Sequence, residues 1–371
     1  MPNPSTPNEH GASLRASPLT RPGHPRETIE VLDTHRFDID ALARYLRGRI
    51  PGAEPPYNVR QFRGGQSNPT YYIETSSKPL VLRRKPPGHL LPSAHAVERE
   101  YQVMTALRES GVPVPDTHLL CEDPTVIGTP FFVMEYVDGY PMSDATLPDR
   151  APEDRRAIYA SMIDVLARLH SVDWRAAGLA DYGKPGNYVA RQVHRWTGQY
   201  RASETGRIDA MERLIEWLPA HIPADSAAAI VHGDYRPGNL LLHPAEPHVA
   251  AVIDWELSTI GHPLVDLGHH ALLFRTGPED FGAFADRTRP AGIPSEEEHL
   301  ERYCRITGRS SLPDWDFYVA FAMFRFAAIF QGIMGRVVAG TANDPDARRV
   351  GARAKPLAER AWQLVQGTEN G

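Results

Sequence analysis

The 371-residue chain carries 40 Lys and Arg against 46 Asp and Glu, a net charge of −6 at neutral pH, so it lacks the basic balance of a nucleic-acid binder. Its two cysteines, Cys121 and Cys304, are too few for a disulfide framework or a thiolate metal site and suit a reducing cytosol, so a cytoplasmic protein is expected. The length allows a large core, in one two-lobed domain or in two domains.

Taken in order, residues 1–30 hold six prolines among Ser, Thr, Asn and charges, with no basic-plus-apolar leader pattern, and are expected to be a disordered tail. From Tyr57 to Val137, β-rich runs alternate with turns: Val59 to Phe62, Thr70 to Glu74, Leu80 to Arg83, His118 to Cys121 and Phe131 to Val137. One helix interrupts them, with Ser93 as its cap, Val97, Tyr101, Met104 and Leu107 at helical spacing, and Gly111 and Pro113 as its stop. After Asp138-Gly139 the pattern turns helical, over 154–170, 187–202, 207–218, 263–275, 296–306, 315–338 and 347–366. The expected fold class is α+β, with a small β-rich lobe at 31–137 and a larger helical lobe at 138–371. The longest apolar stretch, Tyr318 to Gly335, is cut by Arg325 and Gln331 and reads as a buried helix, not a membrane span.

The chemistry concentrates between Val231 and Glu256. His232-Gly233-Asp234 with Asn239 has the spacing His-x-Asp-x-x-x-x-Asn of a kinase catalytic loop, whose Asp accepts the proton of the attacking hydroxyl and whose Asn holds a metal. His248 to Ile253 reads as a buried strand that ends by presenting Asp254, a second carboxylate for Mg²⁺. Upstream, Gly64-Gly65-Gln66-Ser67-Asn68 lies between two strands, where backbone N–H groups and the Ser67 and Asn68 side chains can meet ATP phosphates. A strand cation must then hold the phosphates. Arg83 and Lys85 share a face by alternation, and Arg83, nearer the apolar run, is preferred. Glu100 lies in the inward stripe of the helix and is the natural partner of that cation, whereas Glu98 points outward. Glu135 and Val137 are placed to flank the adenine.

The chain is similar to the aminoglycoside phosphotransferase and choline kinase group of small-molecule kinases, over about residues 35 to 365. The strings Gly64-Gly65-Gln66-Ser67-Asn68-Pro69-Thr70-Tyr71, Leu82-Arg83-Arg84-Lys85-Pro86-Pro87-Gly88 and Leu91-Pro92-Ser93-Ala94-His95-Ala96-Val97 resemble one subfamily. That subfamily includes the N-terminal kinase-like domain of acyl-CoA dehydrogenase fusion proteins. The resemblance implies a bilobal protein-kinase-like fold, ATP and Mg²⁺ as cofactors, and Asp234 as catalytic base. It also implies Asn239 and Asp254 as metal ligands, and Arg83 with Glu100 as the phosphate-holding pair. Many relatives carry Lys at the position of Arg83. Asp254 is followed by Trp255-Glu256, and no Ala-Pro-Glu follows, which disfavours protein phosphorylation.

For the acceptor, the resemblance implies the C4 hydroxyl of a hydroxyacyl-CoA or hydroxy acid, with a separate acyl-CoA dehydrogenase as pathway partner. An antibiotic kinase and a nucleotide-binding regulatory pseudokinase are the alternatives. Arg191, His194, Arg195 and Trp196 are the candidate substrate contacts, with a solvated helix face and an inward Trp196 as the other possibility. Arg325 is a candidate anion contact or, preferred, the partner of a buried acid such as Asp266. His269-His270 reads as helix surface and core.

Overall fold

The computed structural model describes residues 28–369 apart from 64–67, 89–94, 225–226, 281, 286 and 343. The first described elements are a short strand β1 (Thr28–Ile29), a helix α1 (Ile39–Leu46), and strands β2 (Asn58–Phe62), β3 (Thr70–Glu74) and β4 (Leu80–Arg84). Helix α2 (Val97–Leu107) and strands β5 (Thr117–Cys121) and β6 (Phe131–Glu135) complete the first lobe. All neighbours in its six-stranded sheet, ordered β1-β2-β3-β4-β6-β5, are antiparallel.

Residues 28 and 29 pair with Phe62 and Gln61, so the sheet starts inside the segment 1–30 that was expected to lie outside the fold. The expected strand from Phe131 ends at Glu135 rather than Val137. The expected cap Ser93 lies outside the described residues.

Strand alternation makes the sheet two-faced. Leu80 and Leu82 join Leu42, Leu46, Tyr71, Ile73, Phe131 and Val133 in a small core against α1. Val81 points the other way, joining Phe132, Met134 and the α2 residues Val97, Val103, Met104 and Leu107 in the main core. Arg83 shares the face of Val81 and meets α2, whereas Arg84 turns back toward Phe37 and Tyr71 and donates to the Ile127 carbonyl. Adjacent arginines thus serve opposite faces.

The second lobe holds β7 (Tyr140–Pro141), α3 (Pro152–Ser171), α4 (Tyr188–Ala202), α5 (Asp209–Ala220), β8 (Ala229–Val231), β9 (Leu240–Leu242), β10 (Val249–Val252) and β11 (Thr259–Gly261). It ends with α6 (Pro263–Arg275), α7 (Glu296–Thr307), α8 (Trp315–Val338), α9 (Ala347–Gly351) and α10 (Ala354–Glu369). The single helix expected over 347–366 is therefore a pair, α9 and α10. Strands β9 and β10 form a hairpin extended by β7, and β8 pairs with β11. Those two ribbons carry the acids singled out from the sequence.

Helix α8 is, among the described residues, long and apolar enough to cross a membrane, yet 78% of its most apolar window is buried inside the fold. It packs against α4, α6 and α10, with Phe317, Tyr318, Phe321, Phe324 and Phe330 all in the core. The approach of α6 depends on Gly268, where an added Cβ would lie 2.7 Å from the Tyr318 carbonyl oxygen. Gly268→Ala must push α6 away from α8 at a backbone contact and is expected to destabilise by about 1–3 kcal/mol. An unchanged urea midpoint would contradict that packing.

Candidate active site

The turn after β8 is fixed from below. Asp266, 1% exposed on α6, accepts the His232 N–H at 2.5 Å and the Gly233 N–H at 2.8 Å, and lies 3.5 Å from His170 Nε2. Burial opposes ionisation of Asp266, but His170, His232 and the Gly233 N–H outweigh it and hold its carboxyl below the ordinary range. Gly233 takes φ +81°, and a Cβ there would lie 2.6 Å from the Leu257 carbonyl oxygen, so the glycine of His-Gly-Asp is needed twice over.

His232 ties the two ribbons together. Its Nε2 donates to the Ile253 carbonyl at 3.0 Å and its Nδ1 accepts the Asp234 N–H at 3.2 Å. Ile253 N–H in turn donates to the Asn239 carbonyl at 3.0 Å, which sets Asp254 beside the loop carrying Asp234 and Asn239. Asn239 Nδ2 donates to Asp234 Oδ2 at 2.8 Å and to the Asp234 carbonyl at 2.9 Å. Arg236 Nε reaches the same Oδ2 at 3.1 Å, and His269 Nε2 lies 3.6 Å from Oδ1. Burial works to raise the Asp234 carboxyl, yet the surrounding positive charge wins and holds it below its ordinary value. The lowering comes from His269, Arg236, His232 and Arg325 in that order, and burial in turn pushes the His269 ring down to about 4.

On the opposite side stands Arg83. Its Nε donates to Glu100 Oε1 at 2.9 Å, its Nη2 donates to Asp254 Oδ1 at 2.6 Å, and Glu256 Oε2 is 3.7 Å from Nη2. Lys85 instead pairs with Glu98 at 3.0 Å, partly exposed. Geometry therefore separates the two cations that alternation left on one face. Asp254 sits in the left-handed region, φ 68° and ψ 59°, a conformation Asp tolerates better than most residues, and this turns the chain from β10 into the Trp255–Leu257 turn.

Glu100 is 1% exposed and shares its surroundings with Asp254 and Glu256. Burial first, then repulsion from those acids, raises it to about 7 against the pull of Arg83. A carboxyl raised on folding contributes stability that is complete below about 4.5 and lost as pH rises through about 7. Glu100→Gln should remove that loss: between pH 5 and pH 8 the unfolding midpoint of the wild type should fall relative to the variant. Parallel pH profiles would show that Glu100 is ionised at no cost.

Other expected contacts are placed differently. Gly64, Gly65, Gln66 and Ser67 lie outside the described residues. Asn68 is fully buried, and its amide does not face outward: Nδ2 donates to Glu100 Oε1 at 2.9 Å and Glu256 Oε2 at 3.5 Å, while Oδ1 is 3.2 Å from His95 Nδ1. It orients the carboxylate that holds Arg83. Glu135 is exposed and Val137 half-buried, where the sheet passes into the second lobe. Arg191 donates to the carbonyls of Gly186 and Lys184 and so secures its own loop. Trp196 is buried, donates to Gln192 at 3.2 Å, and supports Arg325 at 5.2 Å and Arg195 at 5.6 Å from its ring. Of those three candidates only Arg195 is left without a hydrogen-bonded role among the described residues.

His269 and His270 were expected at the helix surface and in its core, but both are buried, and His269 faces Asp234. Arg325 does not pair with Asp266; its Nη2 donates to the Gly233 carbonyl at 2.7 Å. A sequence signal for His269 was its position three residues after Asp266, on the same side of one helix. Arg99 on α2 is a further site neighbour that no sequence motif marks. It donates to the Tyr182 carbonyl at 2.8 Å and stacks on that ring at 4.1 Å, joining α2 to the second lobe beside Glu100.

A β-rich lobe holding a buried cation against a helix carboxylate, over a helical lobe presenting an acid–amide loop and a second acid, defines a kinase-like phosphotransferase. Residues 58–301 match the phosphotransferase enzyme family, and the chain belongs to it. It is 46% identical over 343 residues to acyl-CoA dehydrogenase family member 10 of Mus musculus, covering 91% of this chain and 32% of that relative. The chain thus spans about a third of that relative's length. A crystal structure from Ralstonia eutropha JMP134, provisionally described as an aminoglycoside phosphotransferase, is 47% identical with a TM-score of 0.83, covering 90% of this chain and 99% of that one. Spectinomycin phosphotransferase APH(9)-Ia, solved with ADP and spectinomycin, shares the fold at 13% identity and a TM-score of 0.58, covering 89% of this chain and 99% of that one.

Proposed function

We propose that the protein is a cytoplasmic ATP- and Mg²⁺-dependent kinase acting on the hydroxyl of a hydroxyacyl compound, either a hydroxy acid or its CoA thioester. The observation carrying the chemistry is the Asp234 carboxylate. Asn239 and Arg236 engage its Oδ2, while Oδ1, 3.6 Å from His269 Nε2, makes no hydrogen bond among the described residues. There it would accept the hydroxyl proton as the acceptor oxygen bonds to the γ-phosphorus of ATP and the bond from that phosphorus to the β,γ-bridging oxygen breaks. Positioning and charge supply most of the rate.

The residues present suit a magnesium ion. Among the described residues, Asn239 spends its amide N–H groups on Asp234, leaving Oδ1 without a partner, and Asp254 has no hydrogen bond at Oδ2. Both offer the hard oxygen donors that Mg²⁺ takes alongside phosphate oxygens, and the ion would neutralise charge on the transferring group. Arg83, held by Glu100, would lie along the phosphates.

The acceptor class rests on the relatives whose names are those of acyl-CoA dehydrogenases, which handle acyl-CoA chains. The C4 hydroxyl is the proposed site, its phosphate then serving as a leaving group for a separate enzyme. Arg236 and Arg325 put positive charge beside Asp234, and Arg195 shares the Trp196 ring with Arg325, which supports an anionic acceptor over a polycationic aminoglycoside. Mass-spectrometric detection of a phosphorylated product tests the reading. Purified protein, ATP and Mg²⁺ are offered 3-, 4- and 5-hydroxyacyl-CoAs and the free acids, with aminoglycosides and choline alongside. Transfer to the hydroxyacyl group is expected; transfer to an antibiotic or to choline alone would overturn the acceptor assignment.

A further inference from the structure

Beside Asp234, two buried side chains retain nitrogen atoms with no hydrogen-bond partner among the described residues, Arg325 Nε and His269 Nδ1. Unpaired buried donors and acceptors are rare and costly. Arg325 is 8% exposed, in the middle of the apolar helix α8, yet no carboxylate lies within salt-bridge distance of it among the described residues. Its Nη2 is committed to the carbonyl of Gly233, the residue before Asp234. The guanidinium is therefore anchored next to the acid rather than along the helix. Below it lies the Trp196 ring at 5.2 Å, which supports a cation while offering no counter-charge to neutralise it. The next residue, Phe326, packs edge-on against His269 at 4.9 Å, and His269 Nε2 lies 3.6 Å from Asp234 Oδ1, so α6 and α8 meet beside Asp234.

A buried arginine with a free donor beside a reacting hydroxyl suits one kind of partner, an oxygen acceptor carrying negative charge or carbonyl dipole. Resting on the reading of this site as a phosphotransferase of hydroxyacyl compounds, we propose that Arg325 is its specificity residue, binding the carboxylate or thioester carbonyl of the acceptor while the hydroxyl meets Asp234. One side chain then joins the catalytic loop to the substrate. The Gly233 contact keeps the loop in register, and the remaining guanidinium N–H groups measure whether the acceptor bears an oxygen at the right reach from its hydroxyl. A simple alcohol would leave that charge desolvated and unpaired and would be rejected on that account.

The test compares acceptors as well as variants. A 4-hydroxyacyl-CoA, the free 4-hydroxy acid and a secondary alcohol of equal chain length without a carbonyl are assayed with the full chain and with Arg325→Met, whose stem still covers Trp196. The wild type should prefer the carbonyl-bearing acceptors, and Arg325→Met should reduce that preference in kcat/KM at least tenfold, chiefly through KM. Arg325→Lys is the second variant should the first fail to fold. Its ammonium can serve Gly233 or the acceptor but lacks the planar fork, and the preference should again fall. An undiminished preference in a folded variant overturns the inference and leaves Arg325 as a brace for Gly233, with the proposed function intact. Wild-type transfer to an aminoglycoside or choline and to none of the hydroxyacyl compounds would overturn that function and this inference together.

Discussion

Replacing Asp234 with Asn is expected to lower phosphoryl transfer by about 10²–10⁴-fold while nucleotide affinity stays close to that of the wild type. The isosteric amide keeps the volume and can still meet Asn239 and Arg236, which hold Oδ2 at 2.8 and 3.1 Å, but it cannot take a proton. Single-turnover transfer and calorimetric binding of ATP separate the two effects. If nucleotide affinity and the unfolding midpoint collapse with the rate, Asp234 is a structural element of the loop and the assignment is wrong. The pH dependence follows from its surroundings. Positive charge keeps the carboxyl below its ordinary value despite burial, and a base works above its pKa. The acid limb contributed by Asp234 should thus lie below the ordinary aspartate range near 3.9. His269, near 4, titrates in the same acid region and adds no second inflection close to neutrality.

Much of this arrangement is legible in the sequence because it is local. The five-residue step from Asp234 to Asn239 is one short loop, and the strand that delivers Asp254 announces itself as a β-branched run. The period of two in β4 and the inward stripe of α2 together predict a cation meeting Glu100. What the sequence leaves open is decided across the fold. Arg83 and Lys85 differ only in which carboxylate of α2 each reaches, Glu100 or Glu98, and that depends on how the helix crosses the sheet. Asn68 reads as a loop residue for phosphate because its proximity to Glu256, 188 positions away, has no local trace. In α6 nearly every residue is buried, so hydrophobic periodicity defines no face, and only the three-residue step from Asp266 hints at where His269 points. Arg325 finds a backbone carbonyl, and no residue type marks a carbonyl as a partner.

Asp254→Asn is expected to abolish the share of ATP affinity that depends on Mg²⁺. Asn tolerates the left-handed backbone that Asp254 adopts, so the turn into Trp255 should survive the change, whereas the negative charge does not. Two consequences then oppose each other. The carboxylate that would face the metal is lost, but Arg83 is also released from its 2.6 Å contact with Asp254 Oδ1. Affinity for ATP without metal should therefore hold or rise slightly, while added Mg²⁺ no longer improves it; titrations with and without the ion measure both. A variant with the wild-type response to Mg²⁺ would remove Asp254 from the metal site. One that loses metal-free binding as well would show that its main task is to hold Arg83. The same substitution carries an internal check, because Asp254 is one of the charges that raise Glu100. Without it, the Glu100 carboxyl should move back toward its ordinary value, and the loss of stability between pH 5 and pH 8 should shrink. A pH profile of the variant that keeps the full wild-type loss would mean that burial alone sets Glu100, and that the three acids around Arg83 do not act as one electrostatic unit.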